Sequence, residues 1–204
     1  MTTRRKFLTT ASIGGAAALA SPAIVQAQST IKWRFQTYAG GALGEHVTKP
    51  VIDYINANSN GELQVELFYA DQIVPTGELF QALQRGTIDG VHSDDDSMAS
   101  PTPLRMFGGY FPFATKHILD VPVLFNQYGL KEIWDEEYAK VGVKWISAAG
   151  QDPCNFNTKK EITSVADLDG LRLYSFPTAG RFLAKFGVVP MNIPYEDAEV
   201  AVQT

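Results

Sequence analysis

The chain has 204 residues, one cysteine and a formal net charge of −5, with 45% hydrophobic residues. That length suffices for a sizeable core. The single Cys154 rules out an internal disulfide, and the acidic balance argues against nucleic acid as a partner, because phosphate repels it. His46, His92 and His117 are scattered, and no His-x-x-x-His or Cys-x-x-Cys spacing marks a metal site.

Arg4-Arg5-Lys6 precede Phe7-Leu8 and a Gly/Ala-rich apolar stretch from Ala11 to Ala23; small residues follow at Val25-Gln26-Ala27. A basic head, an apolar middle and a small-residue exit describe an export signal, and paired arginines its twin-arginine form. The run is shorter than the ~20 residues of a membrane span, and Gly14, Gly15 and Pro22 interrupt it. Residues 1–27 are therefore expected to be a twin-arginine signal that directs the protein to the periplasm. They are excluded from the fold.

Beyond it, Ile31, Trp33 and Phe35 alternate with Lys32, Arg34 and Gln36 as a strand, which Gly40-Gly41 and Gly44 end. Glu45 to Asn56 places Val47, Val51, Ile52 and Ile55 on one helical face. Leu63, Val65 and Leu67 form the next strand. Thr76 is expected to cap a helix with Leu79, Ala82 and Leu83 inward and Gly86 at its end, and Ile88 to Val91 is a short strand. Alternating strand and helix argue an α/β fold of three layers with a mainly parallel sheet. Ligands of such sheets gather beyond the carboxyl ends of the strands, so the segments after Thr37 and Val91 are site candidates.

Helices are expected over Asp120 to Tyr128 and Leu130 to Val141, then a strand through Val143, Trp145 and Ser147. Cys154 reads as a small buried or half-buried side chain. Ser164-Val165-Ala166-Asp167 resembles a capping box, with Asp in place of Glu. Leu171 to Tyr174, Ala179 to Phe186 and Val188 to Met191 then repeat the strand–helix–strand rhythm. Pro75 to Arg85 lines up with Pro194 to Thr204 without a gap, sharing proline, acid, alanine and glutamine. The repeat implies two similar lobes, the second incomplete at Thr204.

These pieces carry a family resemblance. Trp33-Arg34-Phe35-Gln36-Thr37, Gly61-Glu62-Leu63-Gln64-Val65, Glu78 through Gly86-Thr87-Ile88-Asp89-Gly90, Phe107-Gly108-Gly109 with Pro112-Phe113, Lys159-Lys160-Glu161-Ile162, Asp167-Leu168-Asp169-Gly170-Leu171-Arg172-Leu173 and Gly187-Val188-Val189-Pro190 follow in order. The chain resembles the DctP-type extracytoplasmic receptors of TRAP transporters, nearest the 2-oxoacid branch. The resemblance implies a two-lobed periplasmic-binding-protein-like fold, with a first lobe over 28–149 and the start of a second over 150–204. It also implies capture of a small organic solute between the lobes for sodium-coupled uptake, and delivery to two integral-membrane subunits. No catalysis and no cofactor are expected.

Most such receptors clamp a carboxylate with an arginine, whose planar fork makes two charge-assisted bonds. By the resemblance that position is Tyr174, and a second basic position falls near Cys154 or Asn155; neither is basic. Arg172 and Arg181 are substitutes, with a surface role weighed above the clamp for both. A further departure is Ser93-Asp94-Asp95-Asp96-Ser97 on the rim after Val91. Three successive carboxylates need solvent, a cationic or hydroxyl-rich ligand, or a bound cation such as Ca²⁺. The candidate solute-binding residues are Gln36, Tyr38, Asp94, Asp96, Gln151, Asn155, Tyr174, Ser175 and Phe176, with Asp94 and Asp96 as an alternative metal pair. The readings left open are an organic acid, an amine, zwitterion or polyol, and, outside the receptor class, a periplasmic metal-dependent enzyme or a chaperone-like protein. No Gly-x-Ser-x-Gly elbow or Ser/His/Asp ordering supports hydrolase chemistry.

Overall fold

The computed structural model describes residues 29–108, 114–150, 154–191, 193 and 198–203. The twin-arginine segment, Gly109, Pro112 and Phe113 of the family motifs, Gln151 among the site candidates and Pro194 to Asp197 of the repeat lie outside them.

The architecture is α/β with parallel sheets, as the alternation implies. Strand β1 (Ile31–Thr37) leads through a helical turn, Gly41–Leu43, and a π-helical turn, Gly44–Thr48, into α1 (Lys49–Asn58). Then come β2 (Leu63–Phe68), a 3₁₀ turn at Thr76–Glu78, α2 (Leu79–Gln84) and β3 (Gly90–His92). The sheet order is β2-β1-β3, with β1 parallel to both neighbours: Ile31 faces Leu63, and Phe35 faces both Leu67 and Gly90.

After a 3₁₀ turn at Pro103–Met106 come α3 (Asp120–Gln127) and α4 (Leu130–Lys140), both within a residue of the expected bounds. A 3₁₀ turn at Val165–Leu168 opens on the expected capping box of Ser164 and Asp167. Its carboxylate accepts the Thr163 and Ser164 backbone N–H groups, which holds it below the usual range. Strand β4 (Arg172–Tyr174), α5 (Pro177–Leu183) with a 3₁₀ tail at Ala184–Phe186, and β5 (Val189–Met191) form a second parallel pair, and α6 (Ala198–Gln203) follows. Helices α2 and α6 fall at aligned positions of the Pro75 and Pro194 repeats, each after a parallel strand.

The core joins Leu79, Phe80 and Ala82 of α2 with Ile88, Met98, Leu104, and Trp134 and Tyr138 of α4. Full burial of Leu79, Phe80 and Ile88 contributes about 1.5–3 kcal/mol each. Helix α2 ends as expected at Gly86, which takes φ +71°. The Gly86 N–H bonds to the Leu83 carbonyl and the Thr87 N–H to that of Ala82, closing a Schellman motif.

Four local expectations are corrected. Thr76 is not a cap: its N–H and hydroxyl both donate to Asp71 Oδ1, at 2.8 and 3.3 Å, so the aspartate holds the helix entry. Val47 and Val51 are 49% and 57% exposed, while Thr48 and Ile52 are buried. The π turn inserts an extra residue per turn and rotates the face that straight 3.6-residue periodicity assigns. Residues 143–150 form no ladder. Their alternation is real, since Val143 and Trp145 pack on the core, but it records one-sided burial of an extended segment rather than strand pairing. Cys154 is exposed rather than half-buried.

Candidate functional site

All three strands of the first sheet end on the same edge, because they are parallel. The chain passes from β1 to β2 on one side and then crosses to β3 on the other. The crevice between β1 and β3 is therefore the point where the winding reverses, which is where open α/β sheets bind ligands. The loops beside it begin at Tyr38 and at Ser93.

At the base of this crevice His92 Nδ1 lies 2.9 Å from Thr37 Oγ1 and 3.0 Å from Thr48 Oγ1. The Tyr38 ring meets its edge, with centroids 5.5 Å apart. Burial pushes the imidazole pKa down, against a smaller upward pull from Asp94, so the ring is neutral. A neutral ring has one acceptor nitrogen, and the hydroxyl neighbours at Nδ1 suit that role.

The aspartate triplet then splits three ways. Asp94 Oδ1 accepts the N–H groups of Asp96 at 3.0 Å and Ser97 at 2.8 Å, which folds the loop into a capped turn. Asp95 is buried: Tyr138 donates to its Oδ1 at 2.5 Å and the Trp134 indole to its Oδ2 at 3.2 Å. Burial pushes the Asp95 carboxyl up, opposed by those two bonds, and drives the Tyr138 phenol well above its ordinary value. Asp96, with a fully buried side chain, pairs with Arg105 Nε at 2.9 Å and accepts both the N–H and the hydroxyl of Thr178. Among the described residues, Asp94 Oδ2 and Ser93 Oγ are buried and have no hydrogen-bond partner. A buried polar atom left so costs free energy that a ligand donor recovers.

Several candidates are reassigned by this geometry. Gln36 is fully buried, its Nε2 donating to the Val74 carbonyl and its Oε1 accepting the Ile73 and Val74 N–H groups. Those bonds hold the loop after β2. Asp96 is engaged on both oxygens. Among the described residues no group of three or more His, Cys, Asp or Glu side chains is placed to hold a metal ion. Asn155 and Arg172 are exposed, and Arg181 donates to Thr178 Oγ1. Tyr174, Ser175 and Phe176 are half-buried at the end of β4, the two rings tilted with centroids 6.2 Å apart. The Asp96–Thr178 bonds draw this segment toward the loop that carries Asp94. A separate hollow of about 380 Å³ opens at the ends of β1 and β2, lined by Gly40, Gly41, Glu45, Tyr69, Ala70 and Gln72.

Ser93, Arg105 and Thr178 were not legible as participants. Nothing in their spacing announces them, since Arg105 and Thr178 reach Asp96 from 9 and 82 residues away.

Comparisons with known proteins place this geometry in a family. A TRAP periplasmic solute-binding protein from Chromohalobacter salexigens DSM 3043, solved with bound (S)-(+)-2-amino-1-propanol, is 67% identical with a TM-score of 0.79, over 85% of this chain and 55% of that one. A curated monocarboxylate 2-oxoacid-binding periplasmic protein of Nostoc sp. strain PCC 7120 is 27% identical over 94% of this chain and 55% of its own length. A TRAP solute-binding protein from Pseudoalteromonas atlantica T6c, with bound sodium and pyruvate, shares the fold at 22% identity and a TM-score of 0.68, over 86% of this chain and 54% of that one. The chain thus spans about half the length of these relatives. They are substrate-binding proteins, not enzymes. Residues 41–204 match the family model described as bacterial extracellular solute-binding protein, family 7 (DctP), and the chain belongs to that family.

Proposed function

We propose that this protein is the solute-capturing receptor of a TRAP-type transporter and that its solute is a small amino alcohol or a closely related amine. The observation that carries this reading is the pair of unpartnered buried acceptors, Asp94 Oδ2 and Ser93 Oγ, at the β1/β3 crevice. An ammonium group brings three donors and a positive charge, and a neighbouring hydroxyl brings one more. The carboxylate-clamping position holds Tyr174, which offers a phenol where an organic acid calls for a guanidinium. The amino alcohol bound by the 67%-identical relative is of the same chemistry. Tyr38, Tyr174 and Phe176 supply aromatic faces that exclude water around the charged pair.

The proposal extends to transport, supported by the family match and by the basic head, apolar middle and small-residue exit of residues 1–27. Residues 1–27 direct twin-arginine export to the periplasm. The solute is held between a lobe formed by 28–149 and one begun by 150–204, then passed to integral-membrane subunits.

A thermal-shift series tests the reading. (S)-2-amino-1-propanol raises the melting temperature with its concentration, as mass action requires, and is recovered unchanged. No shift with amines but a shift with 2-oxoacids restores the organic-acid reading. Consumption of the amino alcohol makes the protein an enzyme.

A further inference from the structure

Helix α5 begins without a cap of its own. Phe176 at its N-cap has no side-chain acceptor, and Pro177 at the first helical position has no N–H to offer. The first helical donor is the Thr178 N–H, which is an orphan in an isolated helix. Asp96 receives it from 82 residues away, Oδ2 accepting that N–H at 2.7 Å and Oδ1 accepting the Thr178 hydroxyl at 2.8 Å. The Arg105 guanidinium, 2.9 Å from Oδ1, balances the charge of a fully buried side chain. Arg181 Nη2 donates in turn to Thr178 Oγ1 at 3.1 Å.

Both ends of this bond lead to candidate solute contacts. The Asp96 backbone N–H is one of the two donors that orient Asp94 Oδ1, and thereby fix where Asp94 Oδ2 is aimed. Thr178 lies two residues after Phe176 and four after Tyr174, on the chain that leaves β4. Anchoring Asp96 therefore fixes the aim of the acceptor on one wall and the start of the aromatic segment on the other. Displacements of about an ångström in such a shell are enough to weaken recognition.

We infer that Asp96 is a positioning residue: it caps α5 across the chain and holds the Ser93–Asp94 acceptors in register with Tyr174–Phe176. This rests on the amine-receptor reading for its consequence in binding, but not for the cap itself.

Amide hydrogen exchange and calorimetric titration with (S)-2-amino-1-propanol, on the full chain with and without Asp96→Asn, test it. An amide side chain keeps the shape but turns an NH₂ toward the Arg105 or Thr178 donors. The expected result is at least tenfold faster exchange at Thr178 with unchanged exchange at Phe80 and Ile88, and at least tenfold weaker binding. Thr178→Ser, which keeps both donors, preserves affinity, whereas Thr178→Val, which keeps only the N–H, weakens it and serves if Asp96→Asn does not fold. Unchanged exchange at Thr178 overturns the cap; faster exchange with unchanged affinity overturns the positioning role. If the wild-type protein gives no heat with the amino alcohol, the amine reading falls, and exchange at Thr178 and at the Ser93–Asp94 amides alone decides the register.

Discussion

Tyr138 donates its hydroxyl to Asp95 Oδ1 at 2.5 Å, joining α4 to the loop after β3 across 43 residues of sequence. The bond lies inside the core, where Trp134 shares the same carboxylate from one turn earlier on the helix. It fixes the middle of the aspartate triplet, so the loop that aims Asp94 is anchored from within. Tyr138→Phe leaves that oxygen of Asp95 short of a donor in a buried site. The expected loss is about 1.5–3 kcal/mol, read as a lower urea midpoint at unchanged slope.

The same carboxylate gives stability a pH signature. Burial raises the folded pKa of Asp95 above its ordinary 3.8. The folded state therefore keeps its proton longer than the unfolded chain, and the favourable contribution at low pH is lost as pH rises through the raised value. Asp95→Asn removes this component from the acid limb of a stability–pH curve. An unchanged curve contradicts the assignment.

His92 acts in the opposite sense and in a different window. Its folded pKa is lowered from 6.5 by burial. Its contribution is present above 6.5 and is lost as pH falls through the lowered folded value, because the unfolded chain takes up the proton first. Urea unfolding at pH 7.5 and 5.5 gives a less stable protein at the lower pH. His92→Gln flattens that difference.

Gly108 has a packing role that the Phe-Gly-Gly motif did not explain. A Cβ at this position meets Asp95 Cγ at 2.8 Å and Trp134 Cζ2 at 3.0 Å. Gly108→Ala pushes the carboxylate off its tyrosine and indole donors. A loss of about 1–3 kcal/mol is expected, with altered near-ultraviolet circular dichroism from Trp134. A normal spectrum and full stability contradict the packing role.

The regular elements were legible because one-face burial leaves a period in the sequence. Leu63, Val65 and Leu67 showed β2, and Leu79, Ala82 and Gly86 showed α2 and its end. The same logic misled where burial and pairing separate, as at Val143–Ser147, and where a π turn changes the period, as at Val47 and Val51. The site was legible only as a place. Parallel strands put the Ser93–Ser97 loop at the crevice, but which aspartate oxygens are already engaged depends on Tyr138, Trp134, Arg105 and Thr178, brought in from distant segments. Gln36 shows the converse: an amide at a strand end looks like a solute contact until Ile73 and Val74 are seen to take three of its four hydrogen-bonding positions.

Titration calorimetry of wild-type protein and Asp94→Asn with (S)-2-amino-1-propanol and with pyruvate tests the central claim, that Asp94 reads an ammonium group, most directly. The expected result is stoichiometric binding of the amino alcohol, no heat with pyruvate, and a loss of affinity of about 30-fold or more on removing the charge. Tight pyruvate binding without an amine response, or an Asp94→Asn variant that binds the amino alcohol as well as wild type, contradicts it.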